Sequence, residues 1–176
     1  MSDRRTRILE AAQRRFHQYG PHKTTVGDIA RAAGVGVGTV YLEFSNKDEI
    51  LRALSEGGHH AVLQAIEAAW SSGGTVAARL KRALEARFEA FLQLGRCSLH
   101  GADLLHCGGC EAIQRAHRAF CAAEHERFAS YIAHGSAEGA FCGGHPEQTA
   151  RALLLAYSAF APPAVFDRDE GEQRER

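Results

Sequence analysis

The sequence contains no long apolar run. Nowhere does it hold the roughly 18 consecutive apolar residues that a membrane span needs. Its first residues, MSDRRTRILEAA, also lack the apolar core and the small-residue cleavage site of a secretory signal. Both absences favour a cytoplasmic protein that has no membrane partner.

The number of cysteines is odd. The chain has five cysteines among 176 residues. An odd number in a chain that shows no export signal argues against a structural disulfide framework. Reduced thiols are therefore expected.

Alternation of β-branched and polar residues is almost absent, which argues against a sheet. Apolar residues recur instead at helical spacing, and Gly20-Pro21, Gly34 and two glycine-rich stretches interrupt them. The pattern predicts an all-α protein with helices over residues 6–19, 26–33, 37–44, 47–70, 76–96, 110–134 and 146–161.

Net charge is also lacking, because 21 basic residues balance 21 acidic ones. This balance argues against indiscriminate coating of nucleic acid. The distribution is uneven, since residues 1–50 carry eight Lys or Arg against six Asp or Glu. A slightly basic end on a slightly acidic body is consistent with a DNA-reading head joined to a sensing body.

The segment from Thr24 to Leu54 has the pattern of a helix-turn-helix. Thr25 can cap the second helix, and Asp28 stands at the position of a capping-box partner. Gly34 supplies the positive φ that a tight turn between crossing helices requires. The pattern predicts two short helices packed across a turn.

The third helix is expected to present Thr39, Tyr41 and Glu43 outward, where hydroxyl groups can reach DNA. Lys47 falls in the first turn of the fourth helix, where a cation opposes the helix dipole. A DNA phosphate at that helix end would relieve the conflict. Lys47 is therefore predicted to contact DNA.

This segment resembles the DNA-binding domain of TetR-type (tetracycline-repressor-type) transcriptional regulators. The resemblance covers residues 8–54, about a quarter of the chain. The matching residues are Phe16, Gly20, Thr24-Thr25-Val26, Asp28-Ile29-Ala30, Ala33-Gly34-Val35, Gly38-Thr39-Val40-Tyr41, Phe44, Lys47 and Leu51.

The resemblance implies an all-α architecture. A three-helix helix-turn-helix head, residues 1–46, is joined to a helical ligand-binding and dimerisation body, residues 47–161. Residues 162–176 follow as a polar tail. Members of this family usually end in two helices that form a four-helix dimer interface, and residues 146–161 are expected to supply the first.

The resemblance also implies a function. A homodimer is expected to repress transcription from a palindromic double-stranded operator until a small-molecule effector releases it. No enzyme activity and no cofactor are required. The residues expected at the DNA are Thr25, Tyr41 and Lys47 on phosphates, Val37, Gly38 and Thr39 on bases or sugars, and Gly36 at the start of the recognition helix.

Two residues depart from the family pattern. Many relatives have serine where this chain has Gly36, so the recognition helix loses a side-chain cap. Many have tyrosine or histidine where this chain has Glu43, whose carboxylate would repel phosphate. Both departures bear on affinity for DNA and leave the predicted fold unchanged.

The body holds an unusual stretch of cysteine and histidine, residues 100–125, among several aromatic residues. Thiolates and imidazoles can hold a metal ion, they can sense oxidants, or they can pack as small core groups. All three interpretations are open. The candidate effector-pocket residues are Phe88, Phe91, Cys107, Cys110, His117, Phe120, Cys121 and Phe128.

A redox enzyme that uses Cys107 and Cys110 is the alternative from another class. No predicted strand precedes this Cys-x-x-Cys pair, although a thioredoxin-like fold would require one. The pair therefore fits a metal- or thiol-responsive regulator better than it fits a catalyst.

Overall fold

The computed structural model describes residues 3–96, 110–142 and 144–161. The helices are α1 (Asp3–Lys23), α2 (Val26–Ala33), α3 (Val37–Glu43), α4 (Lys47–Ser71), α5 (Val76–Arg96), α6 (Glu111–Ala137) and α7 (Pro146–Ala156), followed by a 3₁₀ turn (Ser158–Phe160). No strand occurs among the described residues, and the predicted all-α class is confirmed.

Most predicted helix limits agree with the structure. Regular geometry in α1 is interrupted at Gly20, which has φ 77° and ψ 159° and precedes a proline that has no N–H to donate. Helix α6 continues through Gly135 to Ala137, although a connection was predicted there. Helix α7 ends at Ala156, earlier than predicted, because the chain tightens into the 3₁₀ turn.

The described residues divide into two compact units. The first contains those of Met1–Gly58 and Leu94–His117, and the second those of His59–Gln93 and Arg118–Arg176. The predicted limits of the head, body and tail stay predictions. The described helices include no stretch with both the length and the hydropathy of a membrane span.

The first unit is built on one apolar core. It joins the inner faces of α1, α2, α3 and the start of α4, and it includes one residue of α6. Burial of each large aliphatic or aromatic side chain contributes about 1.5–3 kcal/mol. The core residues are Ile8, Ala11, Ala12, Phe16, Ile29, Ala30, Ala33, Val40, Phe44, Ile50, Leu51 and Ile113.

A reciprocal capping box begins α2, as the sequence predicts. The N–H of Asp28 donates to Oγ1 of Thr25 at 3.2 Å, and the N–H of Thr25 donates to Oδ2 of Asp28 at 3.1 Å. The Thr25 hydroxyl also donates to that carboxylate, at 2.6 Å. The hydrogen bonds from the Thr25 side chain and backbone hold the pKa of Asp28 below its ordinary value.

Two side chains cap the start of α4. Oδ1 of Asn46 accepts from the N–H of Glu49 at 2.9 Å. The Glu49 carboxylate accepts from the N–H of Ser45 at 2.7 Å. That hydrogen bond lowers the pKa of Glu49.

The second unit encloses an ion pair. Nε of Arg87 donates to Oε1 of Glu124 at 2.6 Å, and both side chains are buried. The guanidinium also lies 5.2 Å from the centre of the Phe91 ring. Two buried charges of opposite sign satisfy each other here, so neither can be removed alone without a large cost.

The second unit also contains the single tryptophan of the chain. Trp70 stacks on Tyr131 with ring centres 4.0 Å apart, and the Arg79 guanidinium lies 4.2 Å from the Trp70 ring centre. The Tyr131 hydroxyl donates to Glu67 at 2.6 Å. These contacts join α4, α5 and α6 within the unit.

The capping box predicts a pH-dependent stability. Because the pKa of Asp28 is lowered in the folded state, its stabilisation is complete above about pH 4 and is lost as the pH falls through the folded pKa. We expect Asp28→Ala to lower the thermal unfolding midpoint at neutral pH, and the difference from the wild type to shrink in acid. A difference that stays constant down to strongly acidic pH would contradict this role.

The buried ion pair predicts non-additive substitutions. Glu124→Leu should lower the free energy of unfolding by about 3–5 kcal/mol, because it leaves the Arg87 charge buried alone. The double variant Arg87→Leu/Glu124→Leu should unfold within about 1 kcal/mol of the wild type. Urea unfolding of the wild type, of the single variants Arg87→Leu and Glu124→Leu, and of the double variant measures both effects. Simple addition of the two single effects would show that the charges do not interact.

Candidate DNA-binding site

The turn between α2 and α3 depends on Gly34. It adopts φ 66° and ψ 38°, a left-handed conformation that only glycine reaches without strain. Its N–H donates to the carbonyl of Arg31 at 3.3 Å, and the N–H of Val35 donates to the carbonyl of Ala30 at 3.0 Å. These bonds close the C-terminus of α2 and fix the direction in which the chain enters α3.

Two arginines of α1 hold the C-termini of the next two helices. Arg7 donates to the carbonyl of Ala33, the last residue of α2, at 2.9 Å. Arg5 donates to the carbonyl of Glu43, the last residue of α3, at 2.9 Å, and lies 4.1 Å from the centre of the Phe44 ring. A cation is stabilising at each position, because the C-terminal carbonyls carry partial negative charge.

Lys47 completes this arrangement from α4. Its Nζ donates to the carbonyl of Pro21 at 2.8 Å and to that of Thr24 at 3.3 Å, in the connection between α1 and α2. These two carbonyls stabilise the Lys47 ammonium at the start of α4, where the sequence predicts that a DNA phosphate would do so. An ammonium group has three donors, so a further contact to DNA stays a prediction.

The outward face of α3 differs from the predicted one. Val40 is fully buried, and Gly38 and Leu42 lie two residues to either side of it, which places both nearly opposite at about 3.6 residues per turn. Leu42 is 81% exposed, Tyr41 52% and Val37 46%. The surface of α3 that faces away from the core is therefore mainly apolar.

Thr39 and Glu43, predicted to point outward, are only partly exposed. The Glu43 carboxylate lies 3.9 Å from the guanidinium of Arg4 on α1, so its charge is partly balanced within the protein. Gly36 begins α3 without a side-chain hydrogen bond, as its lack of a side chain predicts. The helix starts on the Gly36 carbonyl, which accepts from the N–H of Thr39 at 2.9 Å.

Most of the predicted DNA-contacting residues stand at three consecutive helix starts. Thr25 is exposed at the N-cap of α2, Gly36 to Gly38 are exposed at the start of α3, and Lys47 opens α4, whereas Tyr41 lies further along α3. Residues of all three helices belong to one apolar core. The predicted contacts with DNA stay predictions.

The predicted effector-pocket residues are divided between the two units. Phe91, Phe120 and Phe128 are buried in the second unit, where the rings of Phe91 and Phe120 meet edge to face at 5.7 Å. Phe88, which is half-buried, makes an edge contact with Phe160 at 5.6 Å. Each aromatic candidate thus packs against another aromatic ring of this unit.

The cysteine and histidine candidates behave differently. Cys110 packs against the core of the first unit, and His117 lies in the same unit. Cys121 lies in the second unit and is exposed. Cys107 lies outside the described residues. Partial desolvation, and then the Glu124 carboxylate, raise the pKa of the Cys121 thiol. In the part of the chain that the structure describes, no three His, Cys, Asp or Glu residues form a metal-binding group.

Sequence reasoning missed Leu42, Arg5 and Arg7. Helical spacing from the buried Val40 could have identified Leu42. The two arginines left no local pattern, because their partners lie 26 and 38 residues away.

Comparison with known sequences agrees with this geometry. The profile of the family described as "Bacterial regulatory proteins, tetR family" matches residues 8–54. The regulator TtgR of Pseudomonas putida is 46% identical over 55 residues, which are 31% of this chain and 26% of that protein. The repressor LfrR of Mycolicibacterium smegmatis is 38% identical over 86 residues, 48% of this chain and 44% of that protein. The matches thus span less than half of these relatives.

Solved structures extend the likeness to the helical body. The fatty acid degradation regulator FadR of Bacillus halodurans superposes with a TM-score of 0.73 at 20% identity, over 95% of this chain and 87% of that one. A transcriptional regulator of Cytophaga hutchinsonii superposes with a TM-score of 0.70 at 27% identity, over 86% and 77%. Residues 8–54 thus resemble the domain that defines the tetR family of bacterial regulatory proteins, and this match covers about a quarter of the chain.

Proposed function

We propose that the chain is a homodimeric transcriptional repressor that binds a palindromic operator and leaves it when a small-molecule effector binds the helical body. The observation that carries the proposal is the exposed face of α3, which a rigid three-helix core presents to solvent. The proposal assigns the chain no catalytic activity.

In this proposal α3 enters the major groove, and the neighbouring helix starts contact the sugar-phosphate backbone. Thr25 is exposed at the N-cap of α2, where N–H groups and the helix dipole attract a phosphate. Tyr41 is half-exposed beside Leu42, and in this proposal its hydroxyl donates to a second phosphate. Two subunits would read two half-sites about one helical turn apart.

The second unit is the proposed effector-binding part. Buried aromatic rings, among them Phe91, Phe120 and Phe128, provide an apolar environment that suits an apolar ligand. The FadR structure from Bacillus subtilis, which has a TM-score of 0.72 at 20% identity, is described as a complex with stearoyl-CoA. We take a long acyl chain as the first effector class to test.

Thiol sensing receives less support than an organic effector. A reactive cysteine needs a lowered pKa, because the thiolate is the nucleophile. At Cys121 the pKa is raised instead. A metal ion at the stretch 100–125 stays a prediction, since His100, His106 and Cys107 lie outside the described residues.

DNA binding is tested with duplexes selected from a random library by the wild-type protein. We expect Tyr41→Phe to weaken binding about tenfold on every selected duplex, because it removes one hydrogen bond to a phosphate. The matched control is Tyr19→Phe, which removes the hydroxyl of another exposed tyrosine in the first unit. Fluorescence anisotropy at fixed salt measures both. Failure of the wild-type protein to enrich any sequence would contradict the proposed function.

Effector release is tested on the same complex. Stearoyl-CoA should lower the anisotropy of the bound duplex and change the fluorescence of Trp70, the only tryptophan, whereas coenzyme A alone should do neither. Survival of the DNA complex in saturating stearoyl-CoA would contradict an acyl-chain effector, while leaving DNA binding intact.

A further inference from the structure

The recognition helix α3 has an unusual chemical surface. Its sequence, VGTVYLE, contains no arginine, lysine, asparagine or glutamine. Those four residue types make the usual specific hydrogen bonds to guanine and adenine in the major groove. Hydrogen-bond readout of purines is therefore weak on this helix, and its specificity must come from other contacts.

The most exposed part of α3 is apolar. Leu42 is 81% exposed on the side opposite the buried Val40. Tyr41 and Val37 on the same short helix are exposed too, and apolar groups exposed together in one patch mark interaction surfaces. The thymine C5-methyl group is the apolar group that the major groove offers.

Gly38 gives a base edge room beside Leu42. It stands four residues earlier, on the same side of the helix. No heavy atom lies within 4 Å of the position that a Cβ would take at Gly38. A base pair can therefore approach the α3 backbone closely at Gly38 and place its methyl group against Leu42.

The charged end of α3 is turned to the protein. The Glu43 carbonyl accepts from Arg5 at 2.9 Å, and its carboxylate lies 3.9 Å from Arg4. Glu43 therefore makes its contacts with α1, and Leu42 and Gly38 stay exposed.

We propose that Leu42 is a specificity-determining residue that recognises the 5-methyl group of a thymine in each operator half-site. The inference rests on the proposed function, because it needs α3 in the major groove. It names the chemical group that the helix reads.

The test replaces thymine by uracil, which removes only the methyl group. Duplexes selected from a random library by the wild-type protein are resynthesised with a single uracil at each thymine of the half-site in turn. We expect one position at which uracil weakens binding about three- to fivefold, the change expected from uncovering one methyl group. Anisotropy titrations at fixed salt give the ratio.

Variants of Leu42 assign that position. Leu42→Ala should bind the thymine and uracil duplexes equally at that position and keep the ratio at every other thymine. Leu42→Met should retain the preference, because it keeps an apolar side chain of similar size. The control, Tyr19→Ala, removes a 44% exposed side chain on α1, outside α3 and outside the expected dimer interface, and should leave the ratio unchanged. Equal thermal unfolding midpoints establish that the variants are folded.

The outcomes separate the two proposals. Sequence-selective binding in which uracil is tolerated everywhere, or in which Leu42→Ala keeps the full preference, overturns the inference and leaves DNA binding standing. A wild-type protein that selects no sequence overturns the proposed function, and the inference falls with it.

Discussion

The relative position of α2 and α3 is the constraint on which the rest of the site depends. The left-handed Gly34 sets the turn, and apolar burial around Phe16 and Val40 holds the two helices together. Cations from outside the pair then close the helix ends, with Arg7 on α2 and Arg5 on α3. The exposed face of α3 is therefore placed before any ligand arrives, so binding need not bear the cost of ordering it.

Because these basic side chains bind the protein's own carbonyls, the basic excess of the first fifty residues is not all available to DNA. The slight basic excess of the first fifty residues suggests a surface for DNA, yet Arg5, Arg7 and Lys47 each hold a backbone carbonyl of the protein. Part of the positive charge is thus structural. If α3 enters the major groove as proposed, shape and apolar contact carry more of the recognition, because Leu42 is the most exposed large apolar side chain of this helix.

The sequence predicts what local chemistry determines. The capping box of Thr25 and Asp28 and the turn at Gly34 each involve residues only a few positions apart, so a local sequence pattern predicts them. Long-range contacts leave no such pattern, and for this reason the partner of Lys47, 26 residues away, was not foreseen. The exposure of a side chain also depends on long-range packing, so a local pattern does not determine it. Cys121 precedes the buried Phe128 by seven residues, which places both on nearly the same side of an ideal helix, yet Cys121 is exposed.

Hydroxyl-radical footprinting on a duplex selected by the wild-type protein tests the central claim most directly, because it reports where the backbone of DNA is covered. A dimer that places α3 of each subunit in successive major grooves should protect two symmetric patches about one helical turn apart. A single patch would contradict a dimeric operator complex. Uniform weak protection along the duplex would contradict sequence-specific recognition by this chain.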